Sequence, residues 1–142
     1  MKIYVINGAN LNLLGHCQKE KFGQVTLENI EERLRKEVEG KGIDIIFHQS
    51  NYEGELIETV HKAFFDQAAG IILNPGGFRH SSIGLTEAVQ AVGLPTVEVH
   101  VTPVGSKEFH HETLLSGLTL AQVCGQTDSV YNKALTTLLK HL

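Results

Sequence analysis

Apolar and polar positions alternate along this chain between two periods, short strand-like runs and longer helical stripes. Lys2-Ile3-Tyr4-Val5-Ile6 opens as a strand and gives way to Asn7-Gly8-Ala9-Asn10-Leu11-Asn12. From Leu13 to Gln24 no period holds, so an irregular, mobile loop able to act as a lid is expected there. Thr26 then caps a helix whose stripe is Leu27, Ile30, Leu34 and Val38, ended by Gly40 to Gly42. Ile43 to His48 reads as the second strand. Glu53 to Phe65 reads as a helix with Leu56, Ile57, Val60 and Phe64 inward. Ile71-Ile72-Leu73, bounded by Gly70 and Pro75, is too short for a helix and reads as a buried third strand. Ile83, Leu85, Ala88, Val89 and Val92 return to helical spacing, with Ser81 or Ser82 as the cap. Pro95 to Val101 is the fourth strand, Leu118 to Val123 a short fifth, and Ser129 to Leu139 the closing helix.

Strands and helices thus alternate five times. Right-handed crossovers turn that order into a parallel sheet covered on both faces, a three-layer α/β/α domain. The expected arrangement is flavodoxin-like, five parallel strands in the order 2-1-3-4-5, with the ligand crevice between the ends of strands one and three. At 142 residues the chain is expected to form one domain, 1–142.

Composition narrows the function more than the fold. A formal charge of −4 without any Lys/Arg cluster argues against a nucleic-acid partner. No segment has the roughly 18 apolar residues of a membrane helix, and because Met1 leads straight into a strand no signal peptide is expected. Cys17 and Cys124 form neither a metal spacing nor a disulfide framework, so the expected setting is the cytoplasm.

The chemistry collects at strand ends. Asn10, Asn12, Gln49, Asn51, Asn74, His80, His100 and Thr102 are delivered to one edge of the sheet and suit a small hydroxylated carboxylate. Asn74-Pro75-Gly76-Gly77 lets a ligand approach the backbone, and the helix behind it favours an anion. Glu98 and His100 share one face of their strand while Val99 faces the other. That pairing points to an oriented proton donor. No HxH or HExxH spacing supports a metal, and no GxGxxG or P-loop lysine supports a nucleotide. No cofactor is expected.

Four stretches together resemble type II 3-dehydroquinate dehydratase. They are Gly8-Ala9-Asn10-Leu11-Asn12-Leu13-Leu14-Gly15, Gln49-Ser50-Asn51-Tyr52-Glu53-Gly54, Asn74-Pro75-Gly76-Gly77-Phe78-Arg79-His80-Ser81-Ser82 and Glu98-Val99-His100, with Tyr131 in the last helix. The resemblance implies a cofactor-free subunit that assembles into trimers and dodecamers. Its implied reaction is anti elimination of water from 3-dehydroquinate through an enolate, giving 3-dehydroshikimate. In that frame His100 is the general acid and Asn12 holds the water that stabilises the enolate. Asn74, His80, Val101 and Thr102 bind the carboxylate and hydroxyls, and Glu87 reaches a neighbour's site.

The departures from the family pattern lie in the loop after strand one and in the segment after strand four. Where the family has an arginine and a basic tyrosine, this chain has Cys17 and Phe22; His110 replaces a substrate-binding arginine and Thr102-Pro103 replaces Ser-Asn. Three readings stay open: a dehydratase impaired by the loss of its base, a lyase or isomerase diverged toward another hydroxy acid, and a catalytically silent binding or assembly relative.

Overall fold

The structure, a computed structural model, describes residues 1–107 and 110–142. Five strands, β1 Lys2–Asn7, β2 Asp44–Gln49, β3 Gly70–Asn74, β4 Thr96–Val101 and β5 Ala121–Gly125, form one parallel sheet in the order β2-β1-β3-β4-β5. Its order is the one expected from the alternation of elements.

Each face carries its own core. Ile3, Val5, Ile72, Val97 and Val99 point to helices α2 (Leu27–Glu37) and α5 (Val130–Leu139). Tyr4, Ile6, Ile71 and Leu73 point to α3 (Glu53–Phe65) and α4 (Ile83–Val92). Alternate residues of one strand therefore feed two cores, which is why Ile71, Ile72 and Leu73 of β3 are all apolar. The caps are local. Thr26 accepts from the Asn29 amide while the Asn29 side chain accepts from that of Thr26, so Asn29 completes a capping box usually closed by Glu or Gln. Ser82, not Ser81, caps α4 by accepting from the Leu85 amide.

Three expectations are corrected. The fifth strand begins at Ala121 rather than Leu118, because Gly117 turns the chain at φ 81° and Leu118 and Leu120 remain partly exposed before pairing starts. On α3 it is Ala63, not Phe64, that faces the sheet; Phe64 is 47% exposed and stacks edge-on against Phe65. The segment from Leu13 to Gln24, read as irregular, holds a one-turn helix, α1 (Lys19–Phe22). Gln18 enters it at φ 50°, the Phe22 carbonyl accepts from Thr127 Oγ1 at 2.9 Å, and the Lys21 carbonyl accepts from the Val104 amide at 2.7 Å. A single turn is too short to display a helical period, but those two bonds tie it to the loops after β4 and β5.

Candidate active site

The carboxyl edge of the sheet is built by register. Gln49, Asn7 and Asn74 end neighbouring strands β2, β1 and β3 side by side. Asn7 and Asn74 are buried, so their amides need partners. Tyr131 of α5 supplies them: its hydroxyl donates to Asn7 Oδ1 and accepts from Asn74 Nδ2 at 3.0 Å. Asn7 Nδ2 donates to the His48 carbonyl, and Asn74 Oδ1 accepts from the Gly76 amide at 3.2 Å. Burial pushes the Tyr131 hydroxyl far up, against the smaller opposing pull of the Asn74 bond, so it stays a donor. Above this chain the loops after β1 and β3 interlock. The Gly8 amide bonds the Asn74 carbonyl at 2.8 Å, and a Cβ on Gly8 would lie 2.2 Å from the Pro75 oxygen. Only glycine permits that approach.

A cavity of about 300 Å³ opens between these loops. Its walls include Asn10, Leu13, Leu14, Cys17, Gln18, Phe22, Asn74, Gly76, Arg79 and Val101. The crevice is therefore where the strand order puts it, at the switch point between β1 and β3.

Immediately behind Val101 lies the ionisable pair. Glu98 and His100 are both buried, and His100 Nε2 sits 2.7 Å from Glu98 Oε2. Thr113 Oγ1 donates to the same oxygen at 2.8 Å. Burial alone raises the Glu98 carboxyl. The hydrogen bonds from His100 and Thr113, the charge of His100 and a bond from Gln122 outweigh it and hold the group below the usual carboxylate range. His111 tilts over the His100 ring, centroids 5.4 Å apart, and is fixed by a two-way backbone clamp from the Gln122 side chain. Burial, then the charges of His100, Arg79 and His110, lower the His111 pKa against the opposing charge of Glu98, which favours a neutral ring over His100. His100 Nδ1 and Thr102 Oγ1 are buried without a hydrogen-bond partner among the described residues.

Comparison with known proteins gives this architecture a context. The family model for class II dehydroquinase matches residues 1–139. The chain belongs to that family. A 3-dehydroquinate dehydratase of Rhodopseudomonas palustris (strain TIE-1) is 40% identical over 141 residues, covering 99% of this chain and 93% of its own. One from Carboxydothermus hydrogenoformans is 41% identical over 143 residues, covering 100% and 92%. Among solved structures, the type II dehydroquinase of Butyrivibrio crossotus DSM 2876 superposes with a TM-score of 0.88 at 33% identity, covering 98% of this chain and 97% of that one.

Within the class II dehydroquinase frame, the structure divides the expected site residues into two groups. Cys17, Phe22, Asn74 and Val101 line the crevice, and His100 and Thr102 lie buried beside it. Phe22 also packs its ring against the α2/α5 core. Asn12, His80, Glu87 and His110 are not among the residues lining it. Asn12 sits in the 3₁₀ turn Leu11–Leu13, which swings its side chain toward Gln49 and a separate depression shared with Leu27, Glu28 and Phe47. From this loop it is Asn10 that lines the crevice, held at φ 69° by a bond from its amide to Asn51 Oδ1. Glu87 projects from the exposed side of α4, one turn beyond the exposed Ile83. Gln18 on the crevice wall and Thr113 on Glu98 are lone polar residues in loops, which carry no periodic or motif signal, and Arg79 stands within the Asn74–Ser82 stretch without a role implied by the resemblance.

Proposed function

We propose that this chain catalyses the elimination of water from 3-dehydroquinate, with a low turnover because its crevice has lost the residue that takes the proton. The observation that carries the reading is the buried Glu98–His100 pair at the head of β4, next to a crevice whose wall holds Phe22 and Cys17. A protonated His100 has two N–H groups. Glu98 Oε2 holds the one on Nε2, while Nδ1 has no competing partner among the described residues, so Nδ1–H is the proton available to a departing hydroxyl. When it transfers, the C–O bond breaks, water leaves, and the ring is left neutral with Nε2–H still bonded to Glu98.

The first half of the reaction is the weak half. Phe22 offers a phenyl ring at the base position and no atom that can accept a proton. Cys17 offers no permanent cation to stabilise an ionised neighbour. Loss of one general base lowers turnover by a factor of roughly 10² to 10⁴. Asn10 is our candidate for orienting a water against the enolate oxygen, supported by its place on the crevice wall. Binding depends less on these positions, so the deficit belongs in kcat rather than in KM.

Assembly into trimers or larger rings is part of this reading. Glu87 lies on the exposed face of α4, away from its own crevice, as a residue serving a neighbour would. Light scattering at micromolar concentration should report a mass of at least three chains; a stable monomer would remove Glu87 from the site.

The deciding experiment follows the ultraviolet absorbance of the conjugated enone formed from 3-dehydroquinate. Slow, saturable formation that disappears in His100→Ala supports the proposal. Absence of product at enzyme concentrations near those of substrate overturns it, and points to a binding protein or to a lyase of another hydroxy acid.

A further inference from the structure

Arg79 is the one cationic side chain among the described residues that line the crevice, and no carboxylate lines it with Arg79. The guanidinium is half-held. Its Nη1 donates weakly to the Gly76 carbonyl at 3.4 Å and its Nε donates to His80 Nε2 at 3.1 Å, while Nη2 has no partner among the described residues. Because an arginine nitrogen only donates, His80 Nε2 must be the accepting nitrogen, and His80 then carries its ring proton on Nδ1. The backbone at Arg79 is fixed as well, since its carbonyl accepts from the Leu114 amide at 2.9 Å. A permanent positive charge is thus mounted on the short Gly76–His80 turn, with one donor arm uncommitted and a wall of Leu13, Leu14 and Phe22 bounding the same cavity. The Arg79 charge is also one of the influences lowering the His111 pKa, after burial and the charge of His100.

Among the described residues on the crevice wall, no other side chain carries a positive charge. Asn74 has committed its oxygen to Gly76 and one amide hydrogen to Tyr131, and Cys17 and Gln18 carry no fixed charge. We propose that Arg79 is the residue that recognises the substrate carboxylate and so restricts the crevice to acids. A guanidinium on the wall of a partly apolar crevice binds a carboxylate through charge-assisted hydrogen bonds, which strengthen as the ligand displaces water. This assignment rests on the dehydratase reading, since it presumes that a hydroxylated acid occupies the crevice. Arg79 acts in ground-state binding and not in proton transfer, so its loss raises KM and leaves kcat at saturation close to the parent value.

The test uses quinate, a saturated hydroxy acid that cannot eliminate through an enolate, and its methyl ester, which has the same shape without the charge. Binding to the full-length parent, Arg79→Gln and Arg79→Lys is measured by calorimetry. The parent should prefer quinate over the ester. Arg79→Gln should lose roughly 10- to 100-fold in affinity for quinate, the range expected for hydrogen bonds to a charged group, and bind the ester unchanged. Arg79→Lys should retain part of the preference, because it keeps the charge and loses the planar fork. A parent that binds quinate tightly while Arg79→Gln binds it equally well overturns the Arg79 assignment and leaves the dehydratase reading standing. A parent that binds neither compound, and forms no enone from dehydroquinate, overturns both. Circular dichroism of each variant separates loss of binding from loss of fold.

Discussion

Restoring a base to the crevice should act as a paired change, not as two independent ones. Phe22 and Cys17 line the same cavity of about 300 Å³ and stand at the end and just ahead of the one-turn helix α1. The backbone of α1 is anchored by Thr127 and Val104, so a hydroxyl added to the Phe22 ring or a longer side chain at Cys17 meets a fixed frame. A tyrosine at position 22 near its reference pKa of about 10 is ionised in only about one molecule in 10³ at neutral pH. A cation within a few ångströms lowers such a pKa by about 1 to 3 units, which lifts the ionised fraction to between about 1% and 50%. Phe22→Tyr alone should therefore raise kcat little. Arg79 does not substitute for the missing cation if it is occupied by the substrate carboxylate. Cys17→Arg alone should leave kcat unchanged, because there is no phenol to ionise. Together they should raise kcat by about 10- to 500-fold over Phe22→Tyr, in proportion to the ionised fraction of the phenol. Initial rates of enone formation at saturating dehydroquinate, for the parent and all three variants, complete the cycle. Additive effects, or a parent turnover already equal to that of the double variant, would refute the reasoning and show that another group takes the proton.

Further outcomes follow from the buried polar groups. Tyr131→Phe removes the hydroxyl shared by Asn7 and Asn74 and leaves two buried amide groups short of a partner, at a cost of about 1–3 kcal/mol; urea denaturation monitored by circular dichroism should show a lower midpoint at unchanged slope. The Glu98 carboxyl is held below its ordinary value of 4.5, so the folded state binds fewer protons than the unfolded one in that range. Its contribution is complete above about pH 4.5 and is lost as the pH falls through the lower folded value. The urea midpoint of the parent should therefore fall more steeply on acidification than that of Glu98→Gln, and equal slopes would contradict it. Thr113→Val deletes the second donor to Glu98 Oε2 and should shift the acidic limb of the kcat profile upward, since Glu98 then ionises less readily; Thr113→Ser should restore it.

Much of this architecture is legible in the chain because local and global signals agree. The apolar run at Ile71–Leu73 follows from its length and its glycine and proline bounds, the Thr26 cap from capping chemistry ahead of a helical stripe, and the shared face of Glu98 and His100 from a period of two. What sequence reading misses lies where no period operates. Asn10 and Asn12 differ by two positions and would share a strand face, but the 3₁₀ turn after Asn10 removes that parity and turns Asn12 outward. Ala63 displaces Phe64 from the sheet because both satisfy helical spacing from Val60, and only the space against β1 decides between them. Arg79 is a single residue in a glycine-rich turn. Its meaning comes from Leu13, Cys17 and Phe22 across the crevice, which are far from it in sequence and near it only after folding.

The hydroxyl of Tyr131 also sets an order of events during synthesis. Asn7 and Asn74 emerge from the ribosome early, and the strands that carry them can pair as soon as β3 is out. The group that satisfies both amides lies 124 residues beyond Asn7, in the last helix. Until α5 docks, the growing domain keeps a polar gap under its binding cleft that only water can fill. The cleft is thus the first part of the molecule to have its strands and the last to become dry underneath. Truncation just before Ser129 should yield a chain whose sheet residues are largely present but whose cleft floor exchanges its amide hydrogens freely.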